Sequence, residues 1–315
     1  MLSFILRRLL LLLPVLLLVS IISFSLFYLA PGDPAEILLT GPMGTADPVT
    51  VQEFRHKAGF DDPPQIQYLR WLSRAVRGDL GHSYITGERV LDAILHSFRS
   101  TLRLALASLI ISFMISIPIG VLSAVKRGSM FDFLGMALAL LGVSVPNFWL
   151  AYLLIIAFAL RLDILPVAGY GLNGDFEHLI LPAMTLGISA AAVTSRVMRT
   201  SMLEALSQDY ILAARARGLH ERSVVLGHAL RNALLPVITV VGLNFTYLLN
   251  GSPVVETIFA WPGIGNLMTY SIYDRDYPVI LGCMLFLAVL FLALNLLVDI
   301  CYYYLNPRLR HEAEH

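Results

Sequence analysis

The chain has 315 residues, of which 57% are apolar and 14% are charged, whereas an average soluble domain is about 45–50% apolar and about 25% charged. Twenty-two basic residues balance 22 acidic ones. There is therefore no basic excess that would indicate nucleic-acid binding, and no acidic excess that would indicate a disordered chain. The two cysteines, Cys283 and Cys301, lie in apolar surroundings and indicate neither a disulfide framework nor a metal site. The composition excludes an ordinary soluble domain.

Six runs contain no Asp, Glu, Lys or Arg and approach or exceed the roughly 20 apolar helical residues that cross a bilayer. They are residues 9–32, 104–125, 133–160, 179–195, 232–255 and Tyr277–Val298. We therefore predict an all-α, polytopic membrane protein with six transmembrane helices. The first run is too long for a secretory signal, and Pro31 stands where a cleavage site would be, so we expect it to be retained as a helix.

Basic residues near the span ends are concentrated on the side that both termini share. This side holds Arg7, Arg8, Lys126, Arg127 and the arginines between residues 196 and 231. By the positive-inside rule both termini are predicted to be cytoplasmic.

The segment 33–103 after the first run is too long to be a simple connector, and we predict that it folds outside the cytoplasm. Within it, residues 65–76 place Ile66, Leu69, Leu72 and Val76 at helical spacing, with arginines on the other face. We interpret this segment as a small scaffold at the mouth of the protein.

Prolines and glycines interrupt two of the apolar regions. Pro146 lies near the middle of the third run, where an interior proline kinks a helix. We expect the kink to face protein or a wet cavity, although simple helix packing explains it equally well. The turn formers at residues 251–253 and 261–265 predict a partly re-entrant external segment after the fifth run.

The longest predicted cytoplasmic loop lies between Arg196 and Arg231. Residues 201–217 are rich in helix formers, and Gly218 is well placed as the left-handed residue that ends this helix. A second helix is expected from about Glu221, with a partly apolar face that includes Val224 and Val225. Such an amphipathic loop either docks on another protein or is merely solvated.

Residues 204–219 (EALSQDYILAARARGL) followed by residues 228–236 (HALRNALLP) closely resemble the coupling segment of ABC-importer permeases of the peptide and nickel branch. Further motifs of that branch occur in order along nearly the whole chain: Arg7-Arg8 with residues 31–34, residues 78–81 with Ser83, residues 142–146, residues 261–263 and residues 275–278. One departure is Leu212, which stands where the general motif has an acidic residue before Ala213-Ala214.

This resemblance implies a MetI-like type I ABC permease fold, divided into an N-terminal segment with the first helix (1–32), the extracytoplasmic segment (33–103), a core permease domain (104–305) with the coupling loop 199–231, and a tail (306–315). It also implies a bacterial inner-membrane protein that works with a second homologous permease, two ATP-binding subunits and an extracytoplasmic binding protein. ATP and Mg would bind those subunits, since this chain contains no G-x-x-x-x-G-K-[ST] motif.

The family's coupling role is carried over to one set of residues. The candidate ATPase-coupling residues are Glu204, Asp209, Leu212, Ala213, Ala214, Arg215, Arg217 and Gly218. Within this set we expect Ala213 and Ala214 to permit close approach of a partner, and Arg215 and Arg217 to make polar contacts around it.

Three asparagines in otherwise apolar regions, Asn147, Asn244 and Asn250, are candidates for the translocation pathway, because amides prefer an interior or hydrated face to lipid. We expect no catalytic residue and no metal site, since no H-E-x-x-H or G-x-S-x-G motif occurs.

The predicted function is the permease of an ATP-driven importer of small peptides. A nickel or metal-chelate importer is the alternative. A passive channel and an ion-coupled secondary transporter are more distant alternatives, and the six runs lack the acidic groups that an ion-coupled transporter normally uses.

Overall fold

The computed structural model describes residues 2–29, 36, 47–171, 174–249 and 252–305, and within them the regular structure is helical apart from one antiparallel bridge between His82 and Arg89. The all-α prediction is confirmed. The helices are α1 Leu2–Leu29, α2 Pro48–Ala58, α3 Pro64–Ala75, α4 Val90–Val125, α5 Met130–Ser144, α6 Asn147–Arg161, α7 Phe176–Leu206, α8 Asp209–Ala216, α9 Glu221–Leu249, α10 Pro253–Ile258, α11 Ile264–Tyr273 and α12 Tyr277–Leu305.

Within the described residues, four helices are long and apolar enough to cross a membrane: α4, α7, α9 and the part Tyr277–Val298 of α12. The pair α5 and α6 makes a fifth span if it is counted as one bent helix. Helix α1 has 28 residues and contains the apolar stretch Leu11–Ser25. The count of six spans therefore remains a prediction.

Helix α4 begins earlier than the sequence predicted. It starts at Val90 rather than at residue 104 and has 36 residues, which corresponds to about 54 Å of helix against a bilayer core of about 30 Å. The charge-free run identifies the apolar part of α4 but not where the helix begins, because the helix also includes Asp92 and Arg99. The predicted boundary at residues 103 and 104 therefore falls inside α4.

The predicted kink at Pro146 is confirmed, and it is a complete break. Helices α5 and α6 meet at an angle of 107°. Val145 and Pro146 both have extended backbone conformations, because the proline ring disfavours the helical conformation of the residue before it.

The chain divides into two compact units. The first comprises Met1–Arg99 and Ile264–Ala293, and the second comprises Ser100–Gly263 and Leu294–His315. Each unit has its own core, and the candidate coupling loop belongs to the second.

In the first unit, α3 confirms the helix predicted at residues 65–76, but two of the apolar residues at helical spacing are exposed. Ile66 is 47% and Leu69 is 61% exposed. Trp71 is buried instead and packs with Tyr68 and with Phe24 of α1. A large aromatic ring buries more apolar area than one branched aliphatic side chain, so the aromatic face decides the orientation of the helix.

Two buried carboxylates hold the sequence motifs in place. In the first unit, the Asp276 carboxylate accepts hydrogen bonds from the Ser83 hydroxyl and the Tyr84 backbone N–H. In the second unit, the Glu256 carboxylate accepts a hydrogen bond of 3.0 Å from the Thr101 hydroxyl. Buried carboxylates require such donors, because an unpaired charge away from water is costly.

In the second unit, α7 lies very close to α4 and α5 because three contacts contain glycine. A Cβ atom on Gly120 of α4 would lie 2.5 Å from the Cβ atom of Met198, and one on Gly142 of α5 would lie 2.9 Å from that of Ala192. A Cβ atom on Gly187 of α7 would lie 2.8 Å from the carbonyl oxygen of Ser108. Small residues permit this close approach of helix backbones in membranes.

We expect Gly187→Leu to destabilise the protein, because a larger side chain cannot fit against the α4 backbone. Overpacking of this kind costs about 1–3 kcal/mol or more, which exceeds the gain of about 1 kcal/mol from replacing a helical glycine. The melting temperature of the purified protein in detergent measures the effect. Gly227→Leu is the control, since a Cβ atom there meets only the Ser223 hydroxyl at 3.9 Å. Equal melting temperatures for the two variants would contradict the packing.

Candidate coupling site

The candidate site is built on α8, a helix of eight residues between α7 and α9. We predicted one continuous helix over residues 201–217, but α7 ends at Leu206. The Ser207 hydroxyl donates a hydrogen bond to the Glu204 carbonyl, and Gln208 is extended. Serine competes for backbone hydrogen bonds in this way and favours the ends of helices. The coupling segment is therefore a separate short helix.

Gly218 ends α8 as predicted. Its φ is +75°, which is the left-handed conformation that only glycine adopts without strain. Its N–H donates to the Arg215 carbonyl at 2.9 Å. The chain thus turns sharply after α8 and enters α9.

One face of α8 packs against the chain's own core. Ile211 is fully buried and Ala214 is 7% exposed, and both belong to a cluster with Met198 and Met202 of α7 and Val224 of α9. Ala214, which we expected to permit close approach of a partner, instead permits close approach of α8 to its own neighbours.

The opposite face of α8 is open and partly apolar. Leu212 is 59% exposed, and Ala213 and Ala216 are also exposed. Leu219 follows at 41% exposed. Exposed leucines on a short helix are typical of a surface that another protein covers. We call Leu212, Ala213, Ala216 and Leu219 the outer face of α8.

The acidic candidates are both exposed, Glu204 near the end of α7 and Asp209 in α8. Asp209 stands in its first turn, where a carboxylate interacts favourably with the helix dipole. Both lie on the surface rather than in the core.

Arg215 is engaged within the chain. Its guanidinium donates to both carboxylate oxygens of Glu221, with distances of 2.7 and 3.1 Å, and this hydrogen bonding raises the pKa of Arg215 above its usual value. The pair joins the end of α8 to the start of α9. Arg217, in contrast, has no ion pair among the described residues and is exposed.

Three features of the site were not predicted from the sequence. Residues Val224–Ala229 of α9 form a π-helix, a form that is frequent at functional sites. The Asn232 amide donates to the Tyr210 hydroxyl at 2.9 Å and ties α9 to α8. No pattern in the sequence predicts either feature.

The third is an ion pair between Asp132 at the start of α5 and Arg199 of α7. Two hydrogen bonds of 2.6 and 2.8 Å join the two side chains, and Asp132 also accepts a hydrogen bond from the Gly128 N–H. The spacing Ser129-x-x-Asp132, which caps α5, is a signal that could have placed Asp132 at a helix start. The pair joins the start of α5 to α7, seven residues before α7 ends.

The pathway candidates Asn147 and Asn244 both bond to hydroxyl groups of α7. The Ser189 hydroxyl donates to the Asn147 amide oxygen at 2.5 Å, and the Asn244 amide donates to the Thr194 hydroxyl at 3.3 Å. Both asparagines are half-buried. Asn250 lies outside the described residues.

The chain has several apolar spans, one of which is broken. A short helix with an exposed outer face lies between two of these spans. Together these features define a polytopic membrane permease. The family comparison agrees. The chain belongs to the family of binding-protein-dependent transport system inner membrane components, whose model matches residues 116–311. The model of the family's N-terminal region matches residues 1–105. The resemblance to ABC-importer permeases is thereby confirmed, and the protein is a multi-pass inner-membrane protein that works with ATP-binding and substrate-binding partners.

Two relatives that match this chain over nearly their whole length are also named as transport permeases. The chain is 41% identical over 312 residues to the glutathione transport system permease protein GsiC of Escherichia coli K12, covering 99% of this chain and 100% of that one. It is 44% identical over 315 residues to a putative peptide transport system permease protein of Brucella abortus, covering 98% and 99%.

Two solved structures share the fold. The MetNI methionine ABC transporter in an inward-facing conformation aligns with a TM-score of 0.56 and 19% identity, covering 68% of this chain and 96% of that one. The crystal structure of an amino acid ABC transporter with histidines aligns with a TM-score of 0.53 and 14% identity, covering 67% of this chain and 93% of that one. At these identities the likeness shows the fold alone.

We expect Ala213→Trp and Ala214→Trp to fail in different ways. A tryptophan at 213 projects from the outer face and should abolish co-purification of the ATPase subunits while the melting temperature is unchanged. A tryptophan at 214 must enter the packed core and should lower the melting temperature and the protein level. Co-purification from detergent, together with thermal unfolding, separates the two effects. Undiminished ATPase binding by Ala213→Trp would mean that the outer face is not the docking surface.

Proposed function

We propose that this chain is the transmembrane permease subunit of an ATP-driven importer that moves small peptides across the cytoplasmic membrane by alternating access. The outer face of α8 is the observation that carries the proposal, because an apolar surface between two long helices is where an ATPase can act on the membrane part. The relatives named for glutathione and for peptides favour a peptide over a nickel chelate.

Coupling follows from how tightly α8 is joined to its neighbours. Ile211 and Ala214 seat α8 on α7 and α9, and the Arg215–Glu221 and Asn232–Tyr210 contacts close the turn on the α9 side. A partner that moves α8 therefore moves the ends of α7 and α9 with it. Interfaces packed in this way shift as units rather than deforming gradually.

The pathway is proposed to form between two homologous permeases. Two ATP-binding subunits carry the ATP and Mg, and a separate binding protein delivers the substrate. In this arrangement the chain catalyses no reaction and binds no cofactor itself. Asn147 and Asn244 lie beside α7 in the broken span and in α9, and each can exchange its α7 hydroxyl for water or substrate when the helices move.

Reconstitution in liposomes tests the function. The chain alone should show neither ATP hydrolysis nor substrate flux. With a second permease, two ATPase subunits and a binding protein, it should import glutathione or a dipeptide when ATP is present. Loaded binding protein should also raise ATP hydrolysis, since two sites that bias the same conformational equilibrium are coupled. Uptake of a nickel chelate but of no peptide would favour the alternative substrate, and flux by the lone chain along a proton gradient would replace the importer with a secondary transporter.

The orientation, with both termini in the cytoplasm, is tested by thiol labelling of intact cells. In a background without Cys283 and Cys301, Thr86→Cys should react with a membrane-impermeant thiol reagent and Arg217→Cys should not. Both positions are exposed in this chain, and expressing the chain without the ATP-binding subunits ensures that a docked partner does not protect Arg217→Cys. Permeabilised cells provide the control in which both cysteines react. Labelling of Arg217→Cys in sealed cells would reverse the topology.

A further inference from the structure

The first unit contains a cavity of about 490 Å³ that the coupling and pathway residues do not touch. Helix α3 forms one wall, the turn before α4 forms another, and the ends of α1 and α12 supply the rest. The lining residues on which the argument depends are Phe24, Arg70, Trp71, Arg74, Asp79 and Leu281. The volume is within the range of ordinary ligand sites, about 300–1,000 Å³.

The charged part of this cavity carries an unbalanced positive group. Arg70 and Arg74 lie four residues apart and therefore on the same side of α3. Arg70 is paired with Asp62 at 2.8 Å, whereas no ion pair of Arg74 is found in the described part of the chain. The Asp79 carboxylate also lines the cavity and accepts a hydrogen bond of 3.0 Å from the Gly81 N–H. Since it forms no ion pair with Arg74 in the described part of the chain, the Arg74 guanidinium is available to an anion.

The floor of the cavity is apolar and aromatic. Phe24, Trp71 and Leu281 form one buried cluster, and the ring centroids of Phe24 and Trp71 are 5.9 Å apart. The Trp71 indole nitrogen has no hydrogen-bond partner within the described structure. A simple inorganic anion gains nothing from this floor, whereas an anion with an apolar body gains from both parts of the site.

The wall of the cavity that α1 supplies continues into an exposed apolar part of the same helix. Phe24 lies five residues before the end of α1, and the apolar side chains Leu17, Leu18 and Ile21 of the same helix are 51%, 57% and 41% exposed. Side chains of this kind on a predicted span face hydrocarbon. Aromatic rings near the end of a span are typical of the membrane interface.

We propose that this cavity binds one anionic phospholipid, with its phosphate beside Arg74, its glycerol backbone over Trp71 and Phe24, and one acyl chain along the exposed face of α1. The head group chemistry is a phosphodiester monoanion such as phosphatidylglycerol. A bound lipid would fill the space between α1, α3 and α12 and hold the segment that carries α3 against the membrane.

The Tyr84 phenol at the rim stays neutral and adds no competing charge. Burial raises its pKa, Arg74 lowers it by a smaller amount, and Asp276 raises it again. The Tyr84 phenol therefore does not compete with an anion for Arg74.

Native mass spectrometry of the full-length protein, purified with the subunits that accompany it, tests the proposal. Delipidated protein is titrated with phosphatidylglycerol, with phosphatidylcholine and with inorganic phosphate. We expect one phosphatidylglycerol to bind with preference over phosphatidylcholine, and Arg74→Gln to weaken that binding about tenfold or more, because a hydrogen bond to a charged group contributes about 1.5–3 kcal/mol.

Arg77→Gln is the matched control, because Arg77 is an exposed arginine near the end of the same helix that does not line the cavity. It should leave the binding unchanged. Trp71→Phe keeps an aromatic ring in the floor and should preserve the fold, as measured by the melting temperature, so any loss of lipid in that variant reports on the site itself.

Four results would overturn the proposal. Arg74→Gln and Arg77→Gln could behave alike, phosphatidylcholine could bind equally well, or inorganic phosphate could displace the lipid and mark the site as one for free anions. In the fourth, Arg74→Gln abolishes binding-protein association while lipid binding is unchanged, which would make Arg74 a protein contact. None of these outcomes depends on whether the transported substrate is a peptide.

Discussion

The second unit depends on the close approach of α7 to the helices beside it. Glycines at 120, 142 and 187 remove the side chains that would otherwise separate the backbones, and this contact brings polar groups within reach of one another. Asn147 then accepts a hydrogen bond from Ser189 of α7, and Asp132 of α5 pairs with Arg199 of α7. If α5 and α7 stood further apart, these largely buried oxygens would lose their donors, which is costly.

Because α7 is fixed in this way, the position of α8 is also fixed. The short break at Ser207 and Gln208 leaves little slack between the helices, and Ile211 is fully buried against α7 and α9. The same helix exposes Leu212 on its other side. A helix that is firmly seated on one face and open on the other can transmit force, whereas a solvated loop would absorb it. The packing of α8 therefore supports the docking interpretation over the solvated one.

What the sequence could predict depends on how local each cause is. The stop at Gly218 and the break at Pro146 follow from the backbone of single residues, and both were predicted correctly. The side chains that α3 and α8 bury could not be predicted, because periodicity identifies an apolar face but not which side chains meet the rest of the chain. Trp71 and Ile211 decide these cases through contacts with residues far away in sequence. The π-helix at Val224–Ala229 has no local signature either.

The motifs on which the family resemblance rests hold the fold together, and this role bears on substrate choice. Ser83 and Asp276, from two motifs far apart in the chain, meet in one buried hydrogen bond. Gly263 follows Trp261 and Pro262 because the Glu256 carboxylate occupies the space that a side chain there would need. These residues fix turns and helix ends, and they are buried away from any passing solute. A family can therefore keep such motifs while its members differ in what they transport, which is consistent with relatives of similar identity being named for glutathione and for peptides.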